Sequence, residues 1–493
     1  MPTRLVEIVE KLPAAKVVLV GDLMLDKYVF GSCERISPEA PIPILKFASE
    51  EHRLGGAGFV LAALGALGAT VKAVGVVGED DAGQEVRRRV AELGCADDAV
   101  LAVPGRPTVT KVRLLGSSQD RTPQQILRLD MEETGPVDPL TADTIVAKAT
   151  AALDGADLLC LEDYDKGVLS PDVTRRLIAV ARQRRVPVLV DPASLSDYSK
   201  YAGATALKLN RPETERATAM PARSPEQWRA AADKLLRLLD LDAVVLTLND
   251  TGSYLATRDG AHELVASRAR EVADATGAGD MVLATLCMAR AGGASWPQAV
   301  ALGNVAAGIE VERLGCVPVT RQEIVEDLLA AEHATAGKQR DVAHLTSELA
   351  RHRSAGKRIV FTNGCFDLIH LGHVKYFQFA KAQGDLLVVG VNTDRSIRRL
   401  KGDKRPIISE ADRVSVLEEL ESIDYLVRFD EDTPLDLIKA IKPDVLVKGA
   451  DYQKEQVVGW DFVESCGGKV ALAPLIDGRS TSNVIQRILE AYK

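Results

Sequence analysis

Residues Phe361 to His373 read F-T-N-G-C-F-D-L-I-H-L-G-H. The apolar run Arg358 to Phe361 has strand character and leads into Asn363 and Gly364. A short apolar stretch containing Phe366 then brings His370 and His373 to a helix start, with Gly372 between them. Strand, glycine-bearing turn and helix in that order form the opening unit of a parallel α/β sheet. Two imidazoles three residues apart on one helical turn face the same way, and the helix N-terminus adds oriented N–H groups and a positive dipole end. The spacing predicts a seat for a triphosphate. A zinc site would need further Cys, His or carboxylate ligands; Cys365 is the one thiol nearby, so direct metal ligation by the protein is not expected.

The pattern continues downstream. A second strand, Asp385 to Val391, ends in Asn392-Thr393-Asp394, and a basic loop follows with Lys401, Gly402, Lys404 and Arg405. Next come a helix carrying Arg413, a strand ending in Val447-Lys448-Gly449, and Arg479-Ser480-Thr481-Ser482 ahead of a last helix. Singly, each charge reads as solvated surface. Together, cations and hydroxyl donors recur at strand ends, where an open α/β sheet gathers its ligand.

This stretch, about Lys357 to Lys493, closely resembles the H-x-G-H nucleotidyltransferases. Within them it resembles the adenylyltransferase half of the bifunctional heptose enzymes, through T-N-G-C-F-D-L-I-H-L-G-H, R-L-K-G-D-K-R-P, V-K-G-A-D-Y and R-S-T-S-N-V-I. Glycerol-phosphate and flavin relatives use similar motifs.

The chain has 493 residues, which suggests two to four domains. Its 61 Lys and Arg against 70 Asp and Glu give a net charge of -9, which disfavours a general nucleic-acid binder. Seven cysteines form no C-x-x-C pair, as expected in a reducing cytoplasm. Met1 to Lys16 lacks the apolar core of a signal peptide and no apolar run approaches a membrane span, so a cytoplasmic location is expected.

From the N-terminus, strands and helices alternate as in a parallel α/β sheet. Strands are expected at Lys16 to Val20, Leu158 to Leu161, Pro187 to Val190, Ala206 to Leu209 and Ala243 to Leu248, and a closely packed helix at Gly55 to Ala69. Tyr28 to Phe47 and Thr108 to Asp130 break this rhythm. They read as strands of a small accessory flap that covers a substrate or pairs two subunits. A polar stretch, Glu332 to Gln339, follows an expected helix at Arg321 to Ala331 and marks the boundary between residues 1–335 and 341–493. An amphipathic helix, Asp341 to Arg353, leads into the second domain.

The sharpest motif of the first domain is Asp274-Ala275-Thr276-Gly277-Ala278-Gly279-Asp280, followed by an apolar helix. Glycines at a helix start let backbone N–H groups approach phosphate oxygens, and Asp280 beside such an anion hole is suited to take the proton of an attacking hydroxyl. Asn210-Arg211-Pro212-Glu213 offers an amide and a carboxylate that could order metal-bound water near ATP phosphates. Asn304, in G-N-V-A-A-G, is a further candidate for the nucleotide.

With D-A-T-G-A-G-D, N-R-P-E and the early G-G-A-G, residues 1 to about 330 resemble the ribokinase-family sugar kinases. Val20 to Tyr28 and Arg35 to Pro43 look like the heptose 7-phosphate kinase branch. The resemblances imply a ribokinase-like domain with a flap, then a Rossmann-like nucleotidyltransferase domain, working as a homodimer through the kinase half. They imply phosphorylation of D-glycero-D-manno-heptose 7-phosphate at its anomeric hydroxyl by Mg-ATP. The second step joins heptose 1-phosphate to AMP, giving ADP-heptose for lipopolysaccharide core. In the family that the chain resembles, a separate phosphatase removes the 7-phosphate between the two steps, and no nucleic acid or membrane partner is implied.

Carried over by motif, Asp280 is the expected kinase base, Gly277 and Gly279 the anion hole, and Asn210, Glu213 and Asn304 the ATP contacts, with magnesium held on ATP phosphates and through water by Glu213. Asp22, Asp26, Gly55 and Gly56 are expected at the sugar, and Lys111 and Arg113 at its distal phosphate. In the transferase, His370 and His373 are expected to stabilise charge on the reacting phosphates. Asn363, Gly364, Phe366, Asp367, Gly372, Asp394, Lys401, Arg405, Arg413, Lys448 and Thr481 are expected around nucleotide and substrate.

Two departures stand in the kinase half. Phe59 replaces a sugar-binding Asn, and Asp191-Pro192-Ala193 lacks the lysine of D-P-K, with Lys208 as a possible substitute charge. They keep two other readings open: a degenerate kinase retained for dimerisation or sensing, which intact Asp280 and N-R-P-E oppose, and a pair of activities on another sugar or polyol phosphate.

Overall fold

The computed structural model describes residues 2–117, 123–354, 356–450, 452–474 and 490–491. The chain divides into two compact units, Met1–Ala331 and Glu332–Lys493.

The strands of the first unit are β1 (Lys16–Gly21), β2 (Leu23–Ile36), β3 (Pro43–Gly56), β4 (Thr70–Gly78), β5 (Val100–Val103), β6 (Thr110–Ser117), β7 (Gln124–Met131), β8 (Leu158–Glu162), β9 (Val188–Asp191), β10 (Ala206–Asn210), β11 (Ala243–Thr247), β12 (Gly252–Thr257) and β13 (His262–Ala266). Nine of them form one sheet in the order β13-β12-β11-β10-β9-β8-β1-β4-β5. Strands β1, β8, β9, β10 and β11 are short apolar runs, almost wholly buried, as a parallel sheet covered on both faces demands. Two apolar clusters line its faces, one including Leu19, Leu64, Met281 and Leu286, the other Val20, Leu161, Leu177 and Leu209.

The accessory flap is real and larger than the sequence suggested. Four strands in the order β3-β2-β6-β7 form a separate sheet, with β2 and β3 each 14 residues long. Only Asp22 separates β1 from β2, so the flap grows directly from the carboxyl edge of the central sheet. The helix expected from Gly55 spans Ala57–Ala66, because Gly55 and Gly56 finish β3. At Gly56, φ is +55°, and a Cβ there would stand 2.6 Å from the Asp22 carbonyl, so the turn from flap to helix requires glycine.

The second unit contains β14 (Gln339–Arg340), β15 (Ile359–Gly364), β16 (Leu386–Asn392), β17 (Tyr425–Phe429), β18 (Val445–Gly449) and β19 (Lys469–Ala473), all parallel, in the order β14-β17-β16-β15-β18-β19. The helix expected to stop at Ala331 continues to Ala336, so the polar boundary stretch begins as helix. Among the described residues, no helix is long and apolar enough to cross a membrane.

Candidate active sites

The carboxyl edge of the first unit's sheet gathers acidic residues that the fold then buries. Glu162 ends β8, Asp191 ends β9, and Asp280 enters from the first turn of the helix Ala278–Ala291. Carboxylate oxygens of these three residues lie within 4.8 Å of one another. Burial and then the Asp191 charge push Asp280 up to about 7. Burial likewise raises Glu162 well above its usual range.

One ammonium answers this crowding. Lys208, on β10, is 6% exposed and bonds Asp191. Burial works against its charge, but Asp191 and Glu162 outweigh that and hold Lys208 above its ordinary range. A Cβ on Gly279 would stand 2.8 Å from Lys208 Nζ, so the ammonium lies against the glycine turn beside Asp280. The cation missing at Ala193 is thus matched by one reaching the same edge from the next strand.

The turn itself needs glycine at Gly277, where φ is +96° and a Cβ would meet the Phe59 ring at 2.8 Å and Glu310 Oε1 at 3.0 Å. Phe59 is 1% exposed and packs behind the glycine turn, where its ring is enclosed by the fold. Burial and then Asp280 push Glu310, also buried, up to about 8.

The structure distributes the other expected kinase residues between contact and support. Asp26 and Arg113 form a buried ion pair at 2.7 Å, and a Cβ on Gly55 would strike Asp26. Asp22 accepts hydrogen bonds from the backbone N–H groups of Tyr164, Lys166 and Val168 at 2.9, 3.1 and 3.3 Å, so it organises the loop after β8. Lys111 sits 5.0 Å from the Tyr164 ring centroid. Asn210 and Glu213 bond each other as a capping box on the helix Arg211–Thr218, a role equally written in N-x-x-E. Asn304 donates to the Val265 carbonyl at 2.8 Å and accepts from Ser253. It lines a cavity of about 170 Å³ with Ser267, Arg268 and Arg270.

Sequence reasoning missed Tyr164. Its hydroxyl donates to Asp280 Oδ1 at 3.0 Å and lies 3.2 Å from Oδ2. The available signal was its place just after β8, at the carboxyl edge where α/β sheets bind ligands.

In the second unit, His370 caps the helix Leu371–Lys381, its Nδ1 accepting from the Gly372 N–H at 3.1 Å. The His370 and His373 rings stand 4.1 Å apart, and Phe366 packs edge-on to His373. Burial, then His370, then Lys401 push the His373 imidazole down to about 4. His373 is therefore neutral at neutral pH, and its buried Nδ1 makes no hydrogen bond among the described residues. Lys448 donates to Asn363 Oδ1 at 2.7 Å, and a side chain on Gly364 would collide with the Phe366 ring.

Several expected nucleotide contacts form the floor of this site. Asp367 bonds Arg405 and accepts from the N–H groups of Ile407 and Ile408, fastening the basic loop to the H-x-G-H segment. Arg413, expected at the nucleotide, is 1% exposed and donates to the Cys365 and Asn392 carbonyls and to Asp394, a buried strut that ties these segments together. Thr481 lies outside the described residues.

Two α/β units, one with a carboxylate cluster beside a glycine turn and one with paired imidazoles at a helix start, match the two halves of a bifunctional transferase. The pfkB family carbohydrate kinase profile matches residues 14–322, and the cytidylyltransferase-like profile matches residues 361–476. The bifunctional protein HldE of Geobacter sulfurreducens is 46% identical over 97% of this chain and 96% of its own length. That of Paramagnetospirillum magneticum is 46% identical over 98% of both. Arabidopsis thaliana ribokinase, solved with ribose and ATP, shares the first unit's fold with a TM-score of 0.51 and 23% identity, over 64% of this chain and 99% of that one. Escherichia coli phosphofructokinase-2 has a TM-score of 0.54 at 16% identity over the same shares. The chain belongs to the bifunctional HldE family: a sugar kinase and a nucleotidyltransferase in one polypeptide.

Two outcomes follow from the second unit's geometry. In an imidazole NMR titration, His373 stays neutral until the pH falls to about 4, and His370→Asn raises that midpoint; a His373 midpoint above 6 would refute the buried neutral imidazole. Arg413→Met removes the donors to Asp394 and to two backbone carbonyls, so it should destabilise the second unit by about 1–3 kcal/mol or more in denaturant melts, whereas an unchanged stability would rule out the strut.

Proposed function

We propose that the first unit transfers the γ-phosphoryl group of ATP to the anomeric hydroxyl of D-glycero-D-manno-heptose 7-phosphate, and that the second unit makes ADP-heptose from heptose 1-phosphate and ATP, releasing pyrophosphate. The observation that carries this reading is the pairing of Asp280 beside the Gly277–Gly279 turn with the H-x-G-H helix start, in a chain similar to HldE proteins along nearly its whole length.

In the kinase, Asp280 takes the proton of the sugar hydroxyl as its oxygen attacks the γ-phosphorus and ADP leaves with the electrons of the broken bond. A carboxylate held near 7 is matched to that task at neutral pH. The N–H groups of the glycine turn and Lys208 face the charge on the transferred group, which supports an active kinase despite Ala193. The hard oxygens of this edge suit magnesium: carried on the ATP phosphates it would offset their charge, with Glu213 ordering its water. Arg113 and Lys111 on the flap suit the distal phosphate.

In the transferase, a sugar phosphate oxygen attacks the α-phosphorus and pyrophosphate departs. Neutral His373 donates a hydrogen bond to oxygens that gain charge in the transition state, while Lys401 and Lys448 add fixed positive charge. Positioning and electrostatics carry this reaction, because displacement needs little covalent help.

The flap also suits pairing of two copies. Ile36, Phe47, Leu127 and Leu129 are 63, 63, 56 and 54% exposed on its strands, apolar side chains that a second copy would cover. Wild type should sediment as a dimer and Leu127→Lys as a monomer; a monomeric wild type would exclude this interface.

The two sites should fail independently. Asp280→Asn should lower sugar phosphorylation by roughly 10² to 10⁴ with adenylyl transfer intact, and His373→Asn should lower adenylyl kcat by roughly 10² with phosphorylation intact. Products are read by phosphorus NMR. Joint loss of both activities in folded protein would disprove two separate sites, and a heptose phosphate used no better than other sugar phosphates would reassign the substrate.

A further inference from the structure

The environment of Asp280 contains a hydroxyl that neither the motifs nor the reaction scheme uses. Tyr164 follows β8 by two residues, and three contacts hold it in place. Its backbone N–H donates to Asp22 at 2.9 Å. Its ring lies under Lys111, whose ammonium stands 5.0 Å from the ring centroid. Its hydroxyl donates to Asp280 at 3.0 Å. Tyr164 therefore joins three parts of the kinase edge: the loop organised by Asp22, the flap, and the carboxylate on the glycine-turn helix.

We propose that Tyr164 is a positioning residue for the kinase base: it holds the Asp280 carboxylate by one edge, leaves an oxygen for the sugar hydroxyl, and favours the ionised form. The inference rests on the reading of Asp280 as base. A hydrogen bond donated to a carboxylate stabilises its charged form and lowers its proton affinity. The need is local. Facing Asp280 are Asp191 from β9, Glu162 from β8, Glu310 from the helix Trp296–Glu310 and the Cys316 thiol, all acidic groups in a buried setting. Against them stand Lys208 from β10, Lys111 from β6 and the Tyr164 hydroxyl. Among the described residues, the Tyr164 hydroxyl hydrogen-bonds Asp280 itself, whereas Lys208 bonds Asp191, so the tyrosine can set orientation as well as charge.

Orientation follows from the contact geometry. The hydroxyl lies 3.0 Å from Oδ1 and 3.2 Å from Oδ2, so it grips the carboxylate across its edge. When the sugar hydroxyl takes up a hydrogen bond to one of these oxygens, Tyr164 can keep the other. The carboxylate then accepts the proton without swinging, and the proton leaves to solvent after ADP departs.

The test is the pH profile of kinase kcat/KM in the full chain. Tyr164→Phe keeps the ring beneath Lys111 and removes the hydroxyl. Its acid limb should move up by about one pH unit, so that kcat/KM falls about tenfold at pH 6 and stays within about twofold of wild type at pH 9, with adenylyl transfer unchanged. Site-specific 3-fluorotyrosine at position 164 makes the phenol a stronger donor in the same shape and should move the limb down. Opposite shifts support the proposal. An equal loss at every pH, or a limb that moves the same way or not at all in both variants, overturns it; the fluorinated protein decides the matter if Tyr164→Phe does not fold. Asp280→Asn is run in parallel: if it keeps kinase activity the base assignment itself fails, whereas an inactive Asp280→Asn with unmoved limbs at position 164 sinks the tyrosine alone.

Discussion

Like charges crowded at the carboxyl edge of a buried sheet are the constraint around which the kinase unit is built. Glu162, Asp191 and Asp280 come within 4.8 Å, and neighbouring carboxylates in a dry setting cannot all be ionised. The fold answers with one buried ammonium, Lys208, on the adjacent strand, and with hydrogen-bond donors such as Tyr164. The same arrangement leaves one carboxylate, Asp280, raised to about 7 by burial and the Asp191 charge, the range that the proposed proton transfer calls for. Lys208 serves both elements of this edge, since it holds Asp191 and also lies against the glycine turn.

The transferase unit meets the opposite demand. The nucleotide proposed for it is highly charged, yet His373 is kept neutral by burial and by positive neighbours. A neutral imidazole can donate a hydrogen bond without the cost of a buried charge, and permanent charge is left to lysines at the ends of nearby strands and helices. Arg413 and Asp367 do different work. Each gathers backbone groups from segments distant in sequence, Arg413 from Cys365 and Asn392, Asp367 from Ile407 and Ile408. A polar side chain that satisfies several buried backbone groups at once defines the shape of a site even without touching its ligand.

Much of this was legible before folding. Short apolar strands between glycine-bearing turns marked two parallel α/β units, since a sheet covered on both faces leaves continuous apolar runs. D-A-T-G-A-G-D and H-L-G-H announced helix starts, because the signal there is local: backbone N–H groups and the side chains of a single turn. The flap was visible as alternation out of step with the central sheet, though not the length of its strands, which depends on pairing across it.

Residues whose role depends on distant partners were not legible. Arg413 reads in sequence like any helix-surface cation, and only packing of its helix under the Cys365 turn turns it into a buried strut. Phe59 sits at a position expected to face sugar, yet the fold presses it behind Gly277. The meaning of Lys208 depends on β9 and β10 lying side by side, and Tyr164 reaches an aspartate 116 residues away. The sequence by itself determined the strand and helix periodicities, the two glycine and histidine motifs and hence the two classes of chemistry, all of which are carried within a few consecutive residues. Tertiary structure alone decided which charges meet and are buried together, because proton affinity and ion pairing are set by distance through space and by exclusion of water, neither of which is written at any one position of the chain.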